Sequence, residues 1–239
     1  MRRRLRRLRD LPVNYDAAKL DLDRPPPGWL VDDRCQPLEP ESPGPPEQGG
    51  SWEIARRLIS GYEFADPSLV RAFYEREAPL LGRDMVLELR ALNLVHIHVG
   101  VRVAEVHDGV RTIGGRAASV FGWAYRTLAG HVEQGQMDWM VFKWHLTGAV
   151  EFRVRAVSRP APDPNPLIRL GFLALRRHER RLFLDGTDRR MRELTALALR
   201  AEHPGAAVRE ASSELTARRP EPDDPGHERL ARRAERRNR

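Results

Sequence analysis

The stretch that decides the fold is FGWAYRTLAGHVEQGQMDWMVFKW, residues 121–144. Large side chains alternate within two extended segments of this stretch, which places on one face Phe121, Trp123 and Tyr125 in the first segment and Met137, Trp139 and Val141 in the second. If the two segments pair, these side chains form one contiguous aromatic surface. The stretch therefore predicts two paired strands joined by the loop Ala129–Gly135.

Alternation continues on both sides of this stretch. Residues 85–103 keep a period of two, and Asp108-Gly109 then predicts a hairpin turn. Residues 150–156 alternate with charged positions, and Thr147-Gly148 predicts a tight turn back to a strand over 136–146. These patterns predict an antiparallel sheet with one face in contact with water.

Two helices are predicted beside the sheet. Asp66-Pro67 is typical of a helix start, so we expect a short helix over 67–75. After Asn165-Pro166 a helical stripe extends toward residue 201, formed by Ile168, Phe172, Leu175, Leu182, Met191, Leu194 and Ala198. Strands followed by a long last helix predict an α+β fold, with a curved antiparallel sheet packed on a C-terminal helix.

The composition suits one globular domain. The chain has 239 residues, of which 41% are apolar and 31% charged. Its apolar runs are far shorter than the roughly 20 residues that span a bilayer, and the basic start MRRRLRRLRD lacks the apolar stretch of a secretory signal. We therefore expect a cytoplasmic protein with no membrane span. A single cysteine, Cys35, leaves no thiolate set for a metal centre, and we expect no cofactor.

The net charge of +7 is carried by the two ends of the chain. Residues 1–10 contain six Arg and one Asp, and residues 217–239 contain eight Arg and five acidic residues. Charge runs of this kind are usually solvated and disordered, so nucleic acid is a disfavoured partner. We expect four segments: a disordered arm over 1–10, a proline-rich lead-in over 11–50, an α+β domain over 51–202 and a disordered tail over 203–239.

The loop at 129–135 is the strongest candidate for a polar site. His131 can exchange a proton near neutral pH, and Glu133 can orient its imidazole or raise its pKa. The alternative is a structural role, in which either residue bonds the backbone of a tight loop. His96 and His98 have a spacing that lets two imidazoles reach one metal, but no third ligand is evident, so we predict no metal site.

Several segments resemble a known family. Residues 122–144, VEFRVRAVSRP (150–160) and NPLIRLGF (165–172) resemble the bacterial and plant family DUF1990, and YEFADPSLVRAFY (62–74) with GRDMVLELR (82–90) is similar to its actinobacterial members. The most specific parts are a Gly-His-x-Glu-x-Gly loop at 130–135 and a Phe-Arg-x-x-Ala-x-Ser-Arg strand at 152–159. The resemblance covers about residues 50–200.

That family looks like a relative of the START and birch-pollen-allergen superfamily. The resemblance implies a helix-grip fold, in which the sheet holds a long C-terminal helix around an apolar cavity. Members of this superfamily include lipid carriers, hormone receptors, cyclases and hydrolase-like enzymes, so the fold does not select a chemistry. The catalytic residues, if there are any, stay unknown.

Three functions remain as hypotheses. The first is binding of a small apolar or amphipathic molecule, for which the ligand-binding candidates are Trp123, Tyr125, His131, Glu133, Met137 and Trp139. For the aromatic members of this set the alternative role is core packing. The second function is that of a small enzyme, a cyclase, isomerase or hydrolase, in which His131 and Glu133 transfer a proton. The third is binding of nucleic acid or an acidic partner through the Arg-rich ends.

Overall fold

The computed structural model describes residues 1–91, 95–162 and 166–201, except for the side chains of 91, 95 and 166–176. Within these residues the helices are α1 (Arg2–Leu8), α2 (Ser51–Gly61) and α3 (Pro166–Arg200). The strands are β1 (Leu30–Pro37), β2 (Val70–Tyr74), β3 (Asp84–Ala91), β4 (Val95–Ile113), β5 (Arg116–Thr127), β6 (Glu133–Trp144) and β7 (Val150–Pro160).

The strands form one curved antiparallel sheet in the order β1-β7-β6-β5-β4-β3-β2. Strands β2 to β7 pair with their neighbours in the chain, whereas β1 pairs with β7 at the edge of the sheet. A shift of register between Val103 and Glu105 interrupts the pairing of β4 with β5, and such bulges bend a strand. The predicted α+β helix-grip architecture is confirmed.

The main core lies between the sheet and the two longer helices. We call the sheet face toward α2 and α3 the inner face, and the opposite one the outer face. Helix α2 contributes apolar side chains that include Ile54, Leu58 and Ile59, all at most 1% exposed. Helix α3 contributes Leu184 and Met191, likewise buried. One apolar stripe on each helix is therefore covered by the alternating apolar residues of the strands.

The hairpin between β4 and β5 turns six residues later than predicted. Asp108 and Gly109 lie within β4, where they pair with Phe121 and Val120. The turn is made at Gly114 and Gly115, whose φ angles are 55° and 76°. Two successive positive φ angles fit the tight hairpin turn that suits the twist of the strands, and glycine adopts them without strain.

The segment after Asp66-Pro67 is a strand, so the predicted helix over 67–75 is wrong. The Asp66 carboxylate accepts a hydrogen bond from the backbone N–H of Ser68 at 2.9 Å, which stabilises a single turn. The chain then extends as β2, and Val70 pairs with Leu89 of β3. β-Branched and aromatic residues such as Val70 and Phe73 favour this strand over a helix.

The first ten residues contain a helix, although we expected a disordered arm. Helix α1 packs on the outer face of the sheet, where Leu8 is 6% exposed and contacts Val86 and Leu128. The following lead-in is also ordered in part, because β1 extends the sheet. The tail predicted over 203–239 lies outside the described residues.

A buried ion pair fixes the end of the lead-in to the sheet. Lys143 of β6 donates hydrogen bonds to Glu41 Oε2 and to the carbonyl of Ser42, both at 2.8 Å. The side chains of Lys143 and Glu41 are 0% and 3% exposed. Glu41 Oε1 also accepts the backbone N–H of Trp52 at 2.8 Å. The pair therefore connects the lead-in, β6 and the start of α2.

The stripe predicted for α3 is partly correct. Met191, Leu194 and Ala198 are buried, whereas Leu182 is 41% exposed and Leu184 occupies the buried position. Leu184 precedes Met191 by seven residues, or two helical turns, and so shares its face. The side chains of Ile168, Phe172 and Leu175, and the predicted cap residue Asn165, lie outside the description. Within the described residues, no helix is both long and apolar enough to cross a membrane.

Candidate functional site

The aromatic surface predicted from residues 121–144 is formed by the pairing of β5 with β6. The residues directly opposite each other are Phe121 and Val141, Trp123 and Trp139, and Tyr125 and Met137. Opposite residues of antiparallel strands point to the same side of the sheet, so all six lie on the inner face. All are buried, including Tyr125 at 7% and Met137 at 8% exposure.

Other aromatic side chains cover this surface. The centroid of the Trp139 ring lies 4.4 Å from that of Phe64, 6.2 Å from Tyr62, 6.3 Å from Phe152 and 6.0 Å from Phe183. These separations are typical of packed aromatic pairs. Within the described residues, the surface is thus part of the protein's own core, and α3 contributes Phe183 to its cover.

The two central indoles differ in their hydrogen bonding. Trp123 Nε1 donates to the carbonyl of Ile59, near the end of α2, at 3.1 Å. Trp139 Nε1 is buried and has no hydrogen-bond partner among the described residues. A buried donor without a partner costs about 1–3 kcal/mol relative to the same donor in water. Trp139 therefore carries an unused polar atom in an apolar surrounding.

The loop between β5 and β6 uses His131 as a backbone acceptor. The backbone N–H of Glu133 donates to His131 Nδ1 at 2.9 Å, and the His131 N–H donates to the carbonyl of Leu128 at 3.0 Å. His131 is 9% exposed, and burial lowers its pKa from 6.5 to about 4. The imidazole is therefore neutral at pH 7, with one nitrogen already occupied in the loop.

Glu133 belongs to a group of polar side chains where the inner face meets α3. Arg180 of α3 is its central member and donates from Nη1 to Ser158 Oγ at 2.9 Å and to Glu133 Oε2 at 3.3 Å. Arg180 Nε donates to Asp32 Oδ2. We call Asp32, Glu133, Ser158 and Arg180 the polar cluster. Arg180 Nη2 is buried and has no partner among the described residues.

Tyr125 connects the aromatic surface with the polar cluster. Its hydroxyl donates to Met137 Sδ at 3.3 Å. Burial raises the pKa of Tyr125, and the interaction with Tyr62 lowers it in part. The charge of Glu133 raises this pKa further, and the charge of Arg180 lowers it. Both charged groups therefore act on the Tyr125 hydroxyl. The inner face thus has an aromatic centre and, beside Tyr125, a polar end.

The structure thus brings together five of the six predicted ligand-binding residues in one region. Trp123, Tyr125, Met137 and Trp139 share the inner face, and Glu133 lies in the polar cluster, whereas His131 is held in the loop. Sequence reasoning missed Arg180, Ser158 and Asp32. Arg180 could have been found from its spacing, because it precedes the predicted stripe residue Met191 by eleven residues, or about three helical turns, and so lies on the buried face of α3.

The two predicted histidines of β4 share a carboxylate on the outer face. His96 Nδ1 lies 3.0 Å from Glu88 Oε1, and His98 Nε2 lies 3.9 Å from the same atom. Arg90 Nη2 is 3.3 Å from Glu88 Oε2. In the part of the chain that the structure describes, no group of three histidine, cysteine or carboxylate side chains is arranged to hold a metal ion.

Two surface cavities lie away from these residues. One, of about 200 Å³, lies beside the hairpin between β6 and β7 and is lined by residues that include Arg116, Trp144 and Arg153. The other, of about 250 Å³, lies beside α1 and is lined by residues that include Leu5 and Arg83. Neither is lined by a predicted ligand-binding residue.

The chain is similar to a solved structure and to a family of unknown function. The crystal structure of Ara h 8.0201 has 8% identical residues and a TM-score of 0.40, and the match covers 71% of this chain and 99% of that one. No curated protein matches the chain. The model of the family described as "Domain of unknown function (DUF1990)" matches residues 14–185, which include most of the lead-in expected to lie outside the domain. Because this match covers well over half of its residues, the chain belongs to the DUF1990 family.

Proposed function

We propose that the protein binds a small, mainly apolar molecule between the inner face of the sheet and α3, and that an oxygen atom of this molecule accepts a hydrogen bond from Trp139 Nε1. The proposal is carried by the buried N–H of Trp139, for which the described residues offer no partner. Trp123, Tyr125 and Met137 would contact the apolar part of the ligand. The polar end would lie near Glu133, with His131 supporting the loop that positions this residue.

The cost of an unpaired indole N–H supports this function. Most buried polar groups in proteins have a hydrogen-bond partner, and an exception calls for an explanation. The neighbouring Trp123, on the same surface and equally buried, does have one. A ligand acceptor near Trp139 would remove the cost of about 1–3 kcal/mol and add that amount to the binding free energy.

The polar cluster supports a ligand with a second acceptor. Arg180 Nη2 is a buried donor without a partner among the described residues. The cluster already contains the carboxylates of Asp32 and Glu133, so it does not favour a further anion by charge alone. A neutral hydroxyl, carbonyl or ether oxygen fits it better. The ligand class we propose is therefore an oxygenated apolar molecule.

Access to Trp139 would involve α3. Of the five described rings that lie beside Trp139, Phe183 is the one carried by this helix. It is only partly buried, at the margin of the core. A rotation of Phe183 would therefore open the surface at the side where the polar cluster lies, without disturbing the pairing of β5 with β6.

Binding can be tested on the full chain in two steps. Native mass spectrometry, followed by solvent extraction, would detect and identify a molecule that co-purifies in stoichiometric amount. Titration with the uncharged fluorescent dye Nile red, which carries carbonyl and ether oxygens, would then compare Trp139→Phe, which removes the N–H but keeps an aromatic ring, with Trp144→Phe on the outer face. A second matched pair is Arg180→Gln and the exposed neighbour Arg181→Gln.

We expect the Trp139 and Arg180 variants to bind the dye about 2- to 10-fold more weakly, which corresponds to one lost hydrogen bond. The Trp144 and Arg181 variants should bind like the unmodified protein. If no molecule co-purifies and all four variants bind the dye equally, the proposal is wrong. Circular dichroism would verify that each variant is folded.

A further inference from the structure

We propose that α1 is a docking surface for the phosphate backbone of duplex DNA, independent of the ligand site on the inner face. The starting observation is an unusual concentration of unpaired charge. Five of the seven residues of this helix are arginines, all of them exposed: Arg2, Arg3, Arg4, Arg6 and Arg7. The helix contains no acidic residue in its first turn.

These arginines differ from many of those elsewhere in the described structure. Several arginines on the strands and on α3 form ion pairs, for example Arg126 with Glu105 at 2.8 Å and Arg153 with Glu151 at 2.7 Å. Among the described residues, none of the five α1 arginines has a side-chain hydrogen bond or an ion pair. Only the next residue, Arg9, approaches an acid, Glu75, at 3.5 Å. The positive charge of α1 is therefore not neutralised by the part of the protein that the structure describes.

The arrangement of these charges does not stabilise the helix. Cations in the first turn oppose the helix dipole, and like charges four residues apart, such as Arg2 with Arg6, repel each other. A seven-residue helix is also too short to be stable alone. The charge also acts beyond the helix. Burial is the main cause that lowers the pKa of His98 on the sheet, and the charge of Arg4 is the next largest cause. Binding of an anion would relieve this repulsion.

Specific contacts hold the helix in place against these forces. Leu8 fills the space above Gly100, where an added Cβ would lie 2.5 Å from Leu8 Cδ2. Arg102 of β4 donates to the carbonyl of Leu8 at 2.7 Å and to that of Arg9 at 3.3 Å, so it caps the end of the helix. Asp84 pairs with Arg102 at 2.7 Å. The arginines are thus presented on a fixed support.

Several features favour a nucleic-acid duplex as the partner. Guanidinium groups pair with phosphate oxygens through two parallel hydrogen bonds. An α-helix with its side chains is about 10–12 Å in diameter, close to the width of about 12 Å of the major groove of B-form DNA. Contacts to phosphate carry no sequence information, so we expect binding without sequence preference. A membrane-surface helix would instead need an apolar face directed outward, whereas Leu5 and Leu8 pack toward the sheet.

Fluorescence anisotropy with a mixed-sequence DNA duplex tests this inference on the full chain. Five phosphate contacts predict a slope of log affinity against log salt of about −4 to −5. In one variant, Arg2, Arg3, Arg6 and Arg7 become glutamine. The matched control changes Arg218, Arg219, Arg232 and Arg233 of the tail to glutamine. Both variants lower the formal net charge from +7 by the same amount.

We expect the α1 variant to bind about tenfold more weakly or worse at low salt, with a slope near −1. The tail variant should retain most of the affinity and the steep slope. Equal losses in both variants, or a loss confined to the tail variant, would assign binding to overall charge or to the tail and overturn the inference. Binding to phosphatidylserine vesicles without binding to DNA would overturn it as well. Thermal unfolding of both variants controls for their folding.

Discussion

Trp123 and Trp139 face each other across β5 and β6, yet among the described residues only Trp123 has a partner for its indole N–H. Both side chains are at most 1% exposed. The difference arises from their neighbours: Trp123 reaches the carbonyl of Ile59 where α2 ends, whereas Trp139 is surrounded by aromatic rings. Two tryptophans that look equivalent in the sequence therefore differ in the hydrogen bonding of their indole N–H groups.

Replacing each of these tryptophans by phenylalanine should destabilise the unliganded protein to different extents. We expect Trp123→Phe to lower the free energy of unfolding by about 1 kcal/mol or more, because it removes a buried hydrogen bond. Trp139→Phe should cost less, since the substitution also removes an unpaired donor. Urea unfolding of the two variants measures the difference. Equal losses would show that the Trp139 N–H is already paired in solution.

The buried pair of Lys143 and Glu41 should be essential for stability. Lys143→Met leaves the Glu41 carboxylate buried without its counter-ion, and we expect a loss of about 3–5 kcal/mol. Adding Glu41→Gln to this variant removes the uncompensated charge and should recover part of the loss, because glutamine still accepts the Trp52 N–H. Chemical denaturation of the single and double variants measures both effects. A loss below about 1 kcal/mol for Lys143→Met would contradict the prediction.

His131 should make the protein less stable in acid. Its pKa is lowered by burial to about 4, so between 6.5 and 4 the unfolded chain binds more protons than the folded one. This contribution to stability is complete above pH 6.5 and is lost as the pH falls toward 4, by about 3 kcal/mol. His131→Asn keeps an acceptor for the Glu133 N–H but cannot titrate. We expect the variant to gain stability relative to the unmodified protein as the pH falls.

Asp138 should have the opposite effect on the pH dependence of stability. Burial on the outer face raises its pKa from 3.8 to about 6, and the charge of Glu105 adds to this increase. The hydrogen bond from Gln136 and the charges of Arg155 and Arg126 lower the pKa and so limit the increase. The folded protein therefore binds more protons than the unfolded chain between pH 3.8 and 6, and stability falls as the pH rises through this range. Asp138→Asn should be more stable than the unmodified protein by up to about 3 kcal/mol at pH 7.

Each of the two pH predictions serves as an experimental control for the other. Thermal unfolding across pH 4 to 7 should show a relative gain for Asp138→Asn at the upper end and for His131→Asn at the lower end. Parallel curves for either variant and the unmodified protein would show that the substituted group does not titrate differently in the folded state.

The sequence predicts those parts of the fold that depend on local periodicity. The pairing of β5 with β6 follows from the alternation around Trp123 and Trp139, since a period of two leaves no other choice of face. Turn positions are harder to predict, because Asp108-Gly109 and Gly114-Gly115 are both turn sequences and the length of β4 decides between them. The segment over 70–74 is a strand because β3 offers a partner, which a local pattern does not show.

The candidate site is less predictable for a related reason. Its aromatic members come from two adjacent strands and were found together. Asp32, Ser158 and Arg180 come from the first strand, the last strand and the last helix, and only the tertiary structure brings them together. Helix α1 was not predicted, because Leu5 and Leu8 are too few apolar residues to indicate an amphipathic helix among so many arginines.

The pairing of β1 with β7 has a consequence for the order of folding. The partner of Leu30 is Ser158, 128 positions later, so β1 cannot join the sheet until nearly the whole sheet has been synthesised. Contacts of such long sequence separation slow folding. A protein shortened to begin at residue 51 would lack β1 and leave the backbone groups of β7 unpaired at the sheet edge. An open edge is a template for association between chains, and charges and proline on an edge strand discourage it. The edge strand β1 carries Asp32, Asp33 and Arg34 and ends at Pro37, so the lead-in gives the sheet an edge that is less suited to association.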